Sequence, residues 1–233
     1  MAEPYATGHK VGPVRLQVLL AARGGCREAL GARLAEAARA TSAPGARVIA
    51  LVEMEDDPFP PANPRTRPFE AVLELQAPGE APLVRWAAPA VDAVRDLVHT
   101  DLSAAIVGEP KEIIACSPAP LRYLYAMRRK AGTTHAEYLD YYFHQHSRFG
   151  PRTPGIVGYT QFHCDPAVSA AAAAELGVGV HTIDSVSELH FDALDDFFSG
   201  VADGRLGAEA AADEERFVDR ANSVSFCTVT HLC

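Results

Sequence analysis

The sequence predicts an α+β chain in which one order of elements, β-α-β-β-α-β, runs twice. Three observations predict it. Short segments that alternate apolar and polar residues recur along the chain, and a period of two marks strands. Between them lie Ala/Leu-rich stretches with apolar residues every three to four positions, as on helices that bury one face. Gly and Pro clusters punctuate the two kinds of segment. At 233 residues the chain can form one large or two small domains. It would bury about 70% of its unfolded surface, so neither disulfide nor metal is needed for folding.

Residues 1–13 read as a flexible arm. Val14–Leu20 alternates Val14, Leu16, Val18 and Leu20 against Arg15 and Gln17, the pattern of a half-buried strand. After Gly24-Gly25, the composition of Cys26–Ala40 favours helix, with Leu30, Leu34, Ala37 and Ala38 as its apolar stripe. Arg47–Met54 is a strand rich in Val, Ile and Leu. EDDPFPPANPRTRP holds five prolines between Pro58 and Pro68; no ladder survives that density, so it is a loop, a lid or a crossover. Phe69–Gln76 alternates again. Trp86–His99 is helical through Val91, Val94, Leu97 and Val98, and Glu112–Cys116 is a short fourth strand. This order, over residues 14–116, is the split βαβ unit of ferredoxin-like folds. Ser117–Pro120 reads as a linker.

The second unit, residues 121–233, repeats the order. Leu121–Met127 is a strand with Tyr123, Tyr125 and Met127 on one face. Thr134-His-Ala-Glu137 matches a capping box and opens a helix over 134–149. Its period turns Tyr138, Leu139, Tyr142, His146 and Phe149 inward and His144 outward. Strand Ile156–Cys164 carries Tyr159, Gln161 and His163 on one face. Residues 166–180 predict a short helix and a Gly loop. Strand Ile183–Phe191 puts Asp184, Val186, Glu188 and His190 together. Helical stretches Ala193–Phe198 and Ala208–Arg220 precede a closing strand, Ser223–His231.

Composition excludes several functions. A formal charge of −9 gives no basic stripe for a nucleic acid. No apolar run approaches the roughly 18 residues of a membrane span, and the N-terminus lacks a signal-peptide run; a soluble, cytoplasmic protein is expected. Five cysteines form no C-x-x-C pair, which fits reduced thiols. His144 and His146 stand two apart on a helix, and His163 and Cys164 face opposite ways on a strand, so neither pair predicts a metal site. Without a G-x-G-x-x-G, a P-loop or a nucleophile elbow, no nucleotide cofactor is expected.

Four pieces of the second half carry a resemblance: RRKAGTTHAEYLDYYFHQH (Arg128–His146), VGYTQFHCD (Val157–Asp165), DSVSELHFD (Asp184–Asp192) and ADEERFVD (Ala212–Asp219). In this order they resemble the EthD family of dimeric α/β-barrel proteins, over roughly residues 121–232. The resemblance implies tandem ferredoxin-like units forming a dimeric-type α/β barrel, with two four-stranded sheets facing each other around a hydrophobic pocket. It implies a small cofactor-free enzyme on aromatic or polyketide-like intermediates. The family's helix-end histidine falls on His146, and its acidic pair on Asp213 and Glu214. Where the family often has Gly after the Asp of the third strand, this chain has Ser185. The first half shows none of these motifs. The chain can close its own barrel or pair with a copy, and a homodimer is the commoner association.

Seven of the nine histidines lie after residue 120, which points to a site in the second half. In a barrel, the faces with Tyr159/Gln161/His163 and with Glu188/His190 are too polar to pack well on helices and are expected in the lumen. There His146, or else His163, acts as general acid/base, with Glu188 or Asp184 holding its tautomer. Tyr123, Tyr125, Tyr142, Tyr159, Gln161, Asp184 and His190 then contact a hydrophobic substrate and stabilise its developing charge. The expected reaction is a decarboxylation, dehydration or cyclisation. The alternatives are a cofactor-free oxygenase and a non-catalytic carrier of the same ligand.

Overall fold

The computed structural model describes residues 12–58, 69–115, 119–200 and 204–232. Most of the arm, the proline-rich stretch 59–68, the first part of the linker and Cys233 lie outside them. In chain order the elements are β1 (Pro13–Leu20), α1 (Arg27–Ala40), β2 (Arg47–Glu53), β3 (Ala71–Pro78), α2 (Leu83–Ala93) and β4 (Ala104–Ile114). The second half follows with β5 (Leu121–Met127), α3 (His135–His144), β6 (Gly158–Cys164), α4 (Pro166–Leu176), β7 (Ser185–Phe191), α5 (Leu194–Gly200), α6 (Arg205–Glu214) and β8 (Val224–Leu232).

The eight strands close one antiparallel barrel in the order β1-β3-β2-β8-β5-β7-β6-β4. Read from β4, each half contributes its fourth, first, third and second strand in turn. The seams between halves are β2–β8 and β4–β6, so a single chain closes the barrel. At the second seam the backbones approach closely: a Cβ on Gly108 would meet the His163 carbonyl oxygen at 1.9 Å.

Closure changes what strand alternation means. Leu16, Val18 and Leu20 of β1 pack under α1, α2 and α4 with Leu30, Leu34, Leu73, Leu75 and Val91. The opposite face, Arg15 and Gln17, is not solvated; it points into the lumen and is buried. One end of the lumen is packed with Leu19, Ile49, Leu51, Val72, Ile106, Leu124, Phe162, Val186 and Phe226. A polar layer follows, in which Arg15 pairs with Glu188 at 2.7 Å and Arg122 with Glu74 at 2.8 Å. Gln17 donates to both carboxylates. The hydrophobic pocket expected between the sheets is therefore filled by side chains.

Burial on both faces also explains the largest difference between an expected and an observed element. β4 starts at Ala104, eight residues before the expected Glu112. Ala105 and Val107 meet the helices while Ala104 and Ile106 meet the lumen, so no polar residue alternates and the segment lacks a strand's usual signature. The helix expected over 134–149 divides: the α-helix stops at His144 and a 3-10 helix runs His146–Arg152. The helix expected over 86–99 lies earlier, with a 3-10 turn at Arg95–Leu97 after it.

Candidate functional site

The outer faces of the two half-sheets differ. In the first half Leu16, Val18, Leu20, Leu73 and Leu75 are fully buried. In the second, the corresponding layer is Tyr123 and Tyr125 on β5, Ser187 and Leu189 on β7 and Ser225 on β8, all half-buried. The chain's path accounts for this: α4 packs Ala172, Ala173 and Leu176 onto the first half, leaving α3, α5 and α6 to cover the second sheet. A strip of aromatic and hydroxyl side chains that is not fully covered results.

His146 reaches this strip through Phe217, which lies 5.2 Å from the imidazole and in one cluster with Tyr125. Thr134 and Glu137 cap each other's backbone N–H at the start of α3. The helix so begun turns Tyr138 and Tyr142 onto the sheet, both fully buried. His146 Nδ1 lies 2.9 Å from Asp213 Oδ2 on α6. Tyr141 Oη and Arg148 each donate to Asp213 Oδ1 at 2.9 Å. Burial raises the Asp213 carboxyl, but hydrogen bonds from His146 and Tyr141 and the Arg148 charge outweigh it and hold the group below its ordinary value. Burial likewise lowers the His146 pKa against the pull of Asp213. The imidazole is thus neutral at pH 7, and a carboxylate on Nδ1 fixes the proton there and leaves the Nε2 lone pair as a base. Nε2 makes no hydrogen bond among the described residues. The rings of Phe149, Phe217 and Tyr142 surround the imidazole at centroid distances of 5.1, 5.2 and 5.9 Å.

Glu214, the next residue of α6, turns the other way. Its carboxylate is 3.4 Å from Arg220 Nε. Burial, helped by Asp213 and opposed by Arg220, pushes its pKa up to about 7. Tyr123 and Tyr125 feel its charge, although burial is the main cause that holds both phenols above their ordinary value. A carboxyl that titrates near neutrality beside protonated phenols suits acid/base exchange.

The remaining predicted residues divide between two places. Tyr159, Gln161 and His163 do not face the lumen; they face α3. The Gln161 amide donates to the Tyr142 carbonyl at 3.0 Å and to Tyr159 Oη at 2.9 Å. His163 Nε2 meets Gln161 Oε1 at 3.1 Å, and its ring lies 5.7 Å from that of Tyr142. The polar outer face is tolerated because α3 presents tyrosines and a backbone carbonyl to it rather than leucines. Burial, with Lys111 adding to it, lowers the His163 pKa to about 4. Glu188 and His190 do lie in the lumen, yet Glu188 engages Arg15 and supports neither His146 nor His163. Asp184 ties the start of α3 to the sheet, through Arg129 and through His135 Nδ1 at 2.9 Å. His144 is solvent-exposed. Arg15, Arg122 and Glu74, which complete the lumen network, were not among the predicted residues; their signal was the recurrence of Arg on the first strand and Glu on the third strand of each half.

Residues 130–221 match the family model of the EthD domain. No curated protein matches the chain. Among solved structures, an anthrone oxidase-like protein superposes with a TM-score of 0.63 at 10% identity, covering 96% of this chain and 94% of that one. A candidate monooxygenase from Fusobacterium nucleatum gives 0.56 at 8% identity, over 94% and 93%. A candidate chlorite dismutase gives 0.55 at 9% identity, over 95% of each chain. These likenesses establish a shared α/β-barrel fold.

Proposed function

We propose, on the premise that residues 130–221 are an EthD domain, that this chain is a cofactor-free enzyme using His146 as a general base. Its substrate is a hydrophobic aromatic or polyketide-like molecule held over the half-buried tyrosine and serine face outside the second sheet. We read residues 14–116 and 121–233 as two ferredoxin-like units, the first a scaffold and the second the bearer of the site. The observation that carries the reading is the 2.9 Å His146–Asp213 pair in an aromatic surround. Nε2 takes a proton from an acidic C–H or phenolic O–H, and Asp213 stabilises the imidazolium that forms. Tyr123 and Tyr125, kept protonated by burial, hydrogen-bond the enolate or phenolate. Glu214 returns or takes a second proton.

The carbanion can go two ways. It can expel a β-hydroxyl that Glu214 protonates to water, or attack an internal carbonyl to close a ring. In a decarboxylation the same enolate arises instead by loss of carbon dioxide from the substrate carboxylate and is then protonated. These together are the lyase reading. Alternatively the carbanion can add dioxygen to give, after protonation, a hydroperoxide that loses water to leave a ketone. The barrel-fold relatives with oxidase and monooxygenase names support this second reading. Anthrone is the probe for the oxygenase and an aromatic β-keto acid the probe for the lyase, with oxygen uptake and products followed together. Oxygen uptake with ketone formation marks the oxygenase; consumption of substrate without oxygen marks the lyase. In either case His146→Ala is expected to lower turnover about 100-fold or more while keeping the native circular dichroism. Unchanged turnover in that variant overturns the role of His146, and recovery of bound ligand unaltered makes the protein a carrier.

A further inference from the structure

The lumen network follows a two-fold pattern that breaks at Gln17, whose counterpart is Leu124, and at Gln76, whose counterpart is His190. Arg15 and Gln76 are cross-strand partners on β1 and β3, as Arg122 and His190 are on β5 and β7. In the first half Gln76 Oε1 accepts from Arg15 Nε at 2.9 Å and from a terminal nitrogen at 2.7 Å. In the second half the Gln position is His190, and that acceptor is missing. Among the described residues, Arg122 Nε, His190 Nε2 and Thr230 Oγ1 are all buried without a hydrogen-bond partner. Glu188, the nearest carboxylate to His190 Nε2, is 3.9 Å away. Arg122 is 3% and His190 6% exposed, so bulk water does not satisfy them. An orphaned guanidinium N–H in such a place costs free energy unless something accepts from it.

All three atoms belong to residues lining one cavity of about 160 Å³ at the mouth of the barrel, which Arg15, Arg47 and Thr160 also line. Arg15 and Arg122 are matched by Glu188 and Glu74, and Arg47, exposed at the mouth, donates to Gln76 Oε1 at 3.2 Å and lies 3.7 Å from Glu74. Glu112 also lines the cavity, but it is exposed at the rim. We propose that this cavity binds the carboxylate of a small organic acid, one oxygen accepting from Arg122 Nε and the other from Thr230, with His190 donating through Nε2. The volume holds a molecule of a few heavy atoms and excludes the aromatic substrate assigned to the outer face. This site lies on the opposite face of the same sheet and stands independently of the reading of His146.

The symmetry supplies the test. His190→Gln restores the acceptor that Gln76 provides in the first half, so the side chain should occupy the place of the ligand carboxylate. Acetate and succinate are titrated against the full-length protein, followed by calorimetry and by the midpoint of thermal unfolding, with inorganic phosphate as a second arm. Wild type is expected to bind a carboxylate saturably and to unfold at higher temperature with it. His190→Gln should unfold at higher temperature without ligand and bind at least about tenfold more weakly, the loss expected for one charge-assisted hydrogen bond. Thr230→Val, which keeps every charge, should weaken binding several-fold. Saturable binding of phosphate in place of carboxylates overturns the ligand class. No saturable binding by wild type, or equal binding by His190→Gln, overturns the site and leaves water to satisfy these atoms.

Discussion

His146 and His163 show how partners, and not residue type, decide what a histidine does. Both are shielded from solvent and both have lowered pKa values. His146 meets a carboxylate, and His163 meets the amide of Gln161. Only the first arrangement stabilises the charged form that a base must pass through. His163 carries a cost in acid instead. The unfolded chain takes up its proton near pH 6.5 and the folded chain only near 4, so between these values unfolding binds a proton and stability falls as pH falls. A group of this kind loses roughly 1 kcal/mol per pH unit. His163→Gln removes the term: its stability relative to wild type should improve steadily from pH 6.5 to 4, read from urea unfolding at fixed ionic strength. A constant difference would show that His163 is protonated in the fold. The inward turn of His146 was legible from the helical period, but its partner is 67 residues away. Only the resemblance pointed to Asp213.

Elements were legible where their signals are local. The α3 start is one case, since Thr134 and Glu137 satisfy backbone N–H groups within one turn. Thr134→Ala should cost about 1 kcal/mol, measured by chemical denaturation. It should leave turnover unchanged, because the cap lies a full helix length from His146. A large loss of turnover would mean that the helix start positions the site directly. β4 is the opposite case. Its first residues are Ala-Ala-Ile-Val, apolar on both faces, and a uniformly apolar run does not distinguish a doubly buried strand from a core helix. The end of α3 was also misplaced, because a 3-10 turn keeps much of the helical apolar spacing while it changes the hydrogen-bond pattern.

At the scale of the molecule, the ion network joins the halves. Its shortest pairs, Arg15–Glu188 and Arg122–Glu74, each take one residue from either half. The longer contacts, Arg15–Glu74 at 3.6 Å and Arg122–Glu188 at 3.7 Å, lie within a half. Two positive and two negative charges thus form a neutral ring out of water. Arg15→Ala leaves Glu188 with its best partner gone and should cost roughly 3–5 kcal/mol. The double variant Arg15→Met/Glu188→Leu removes one charge of each sign and should recover most of that loss. Guanidinium unfolding of the three proteins decides it; equal losses in the single and double variants would mean that packing, not charge, is what Arg15 supplies.

By itself the sequence determined most of the order of elements and the sorting of residues into faces, because each follows from neighbours a few positions apart. It also placed seven of the nine histidines after residue 120. It did not determine which face of each strand is inside. Alternation says that a strand has two faces, and a closed barrel buries both, one against helices and one against the lumen. So Arg15 and Gln17, polar and alternating, read as solvated and are buried, while Tyr159, Gln161 and His163 read as lumenal and lie under α3. The closure that pairs β2 with β8 and β4 with β6 is made between strands far apart in the chain. It decided which charges neutralise one another, which histidine obtained a carboxylate, and which buried polar atoms were left without a partner.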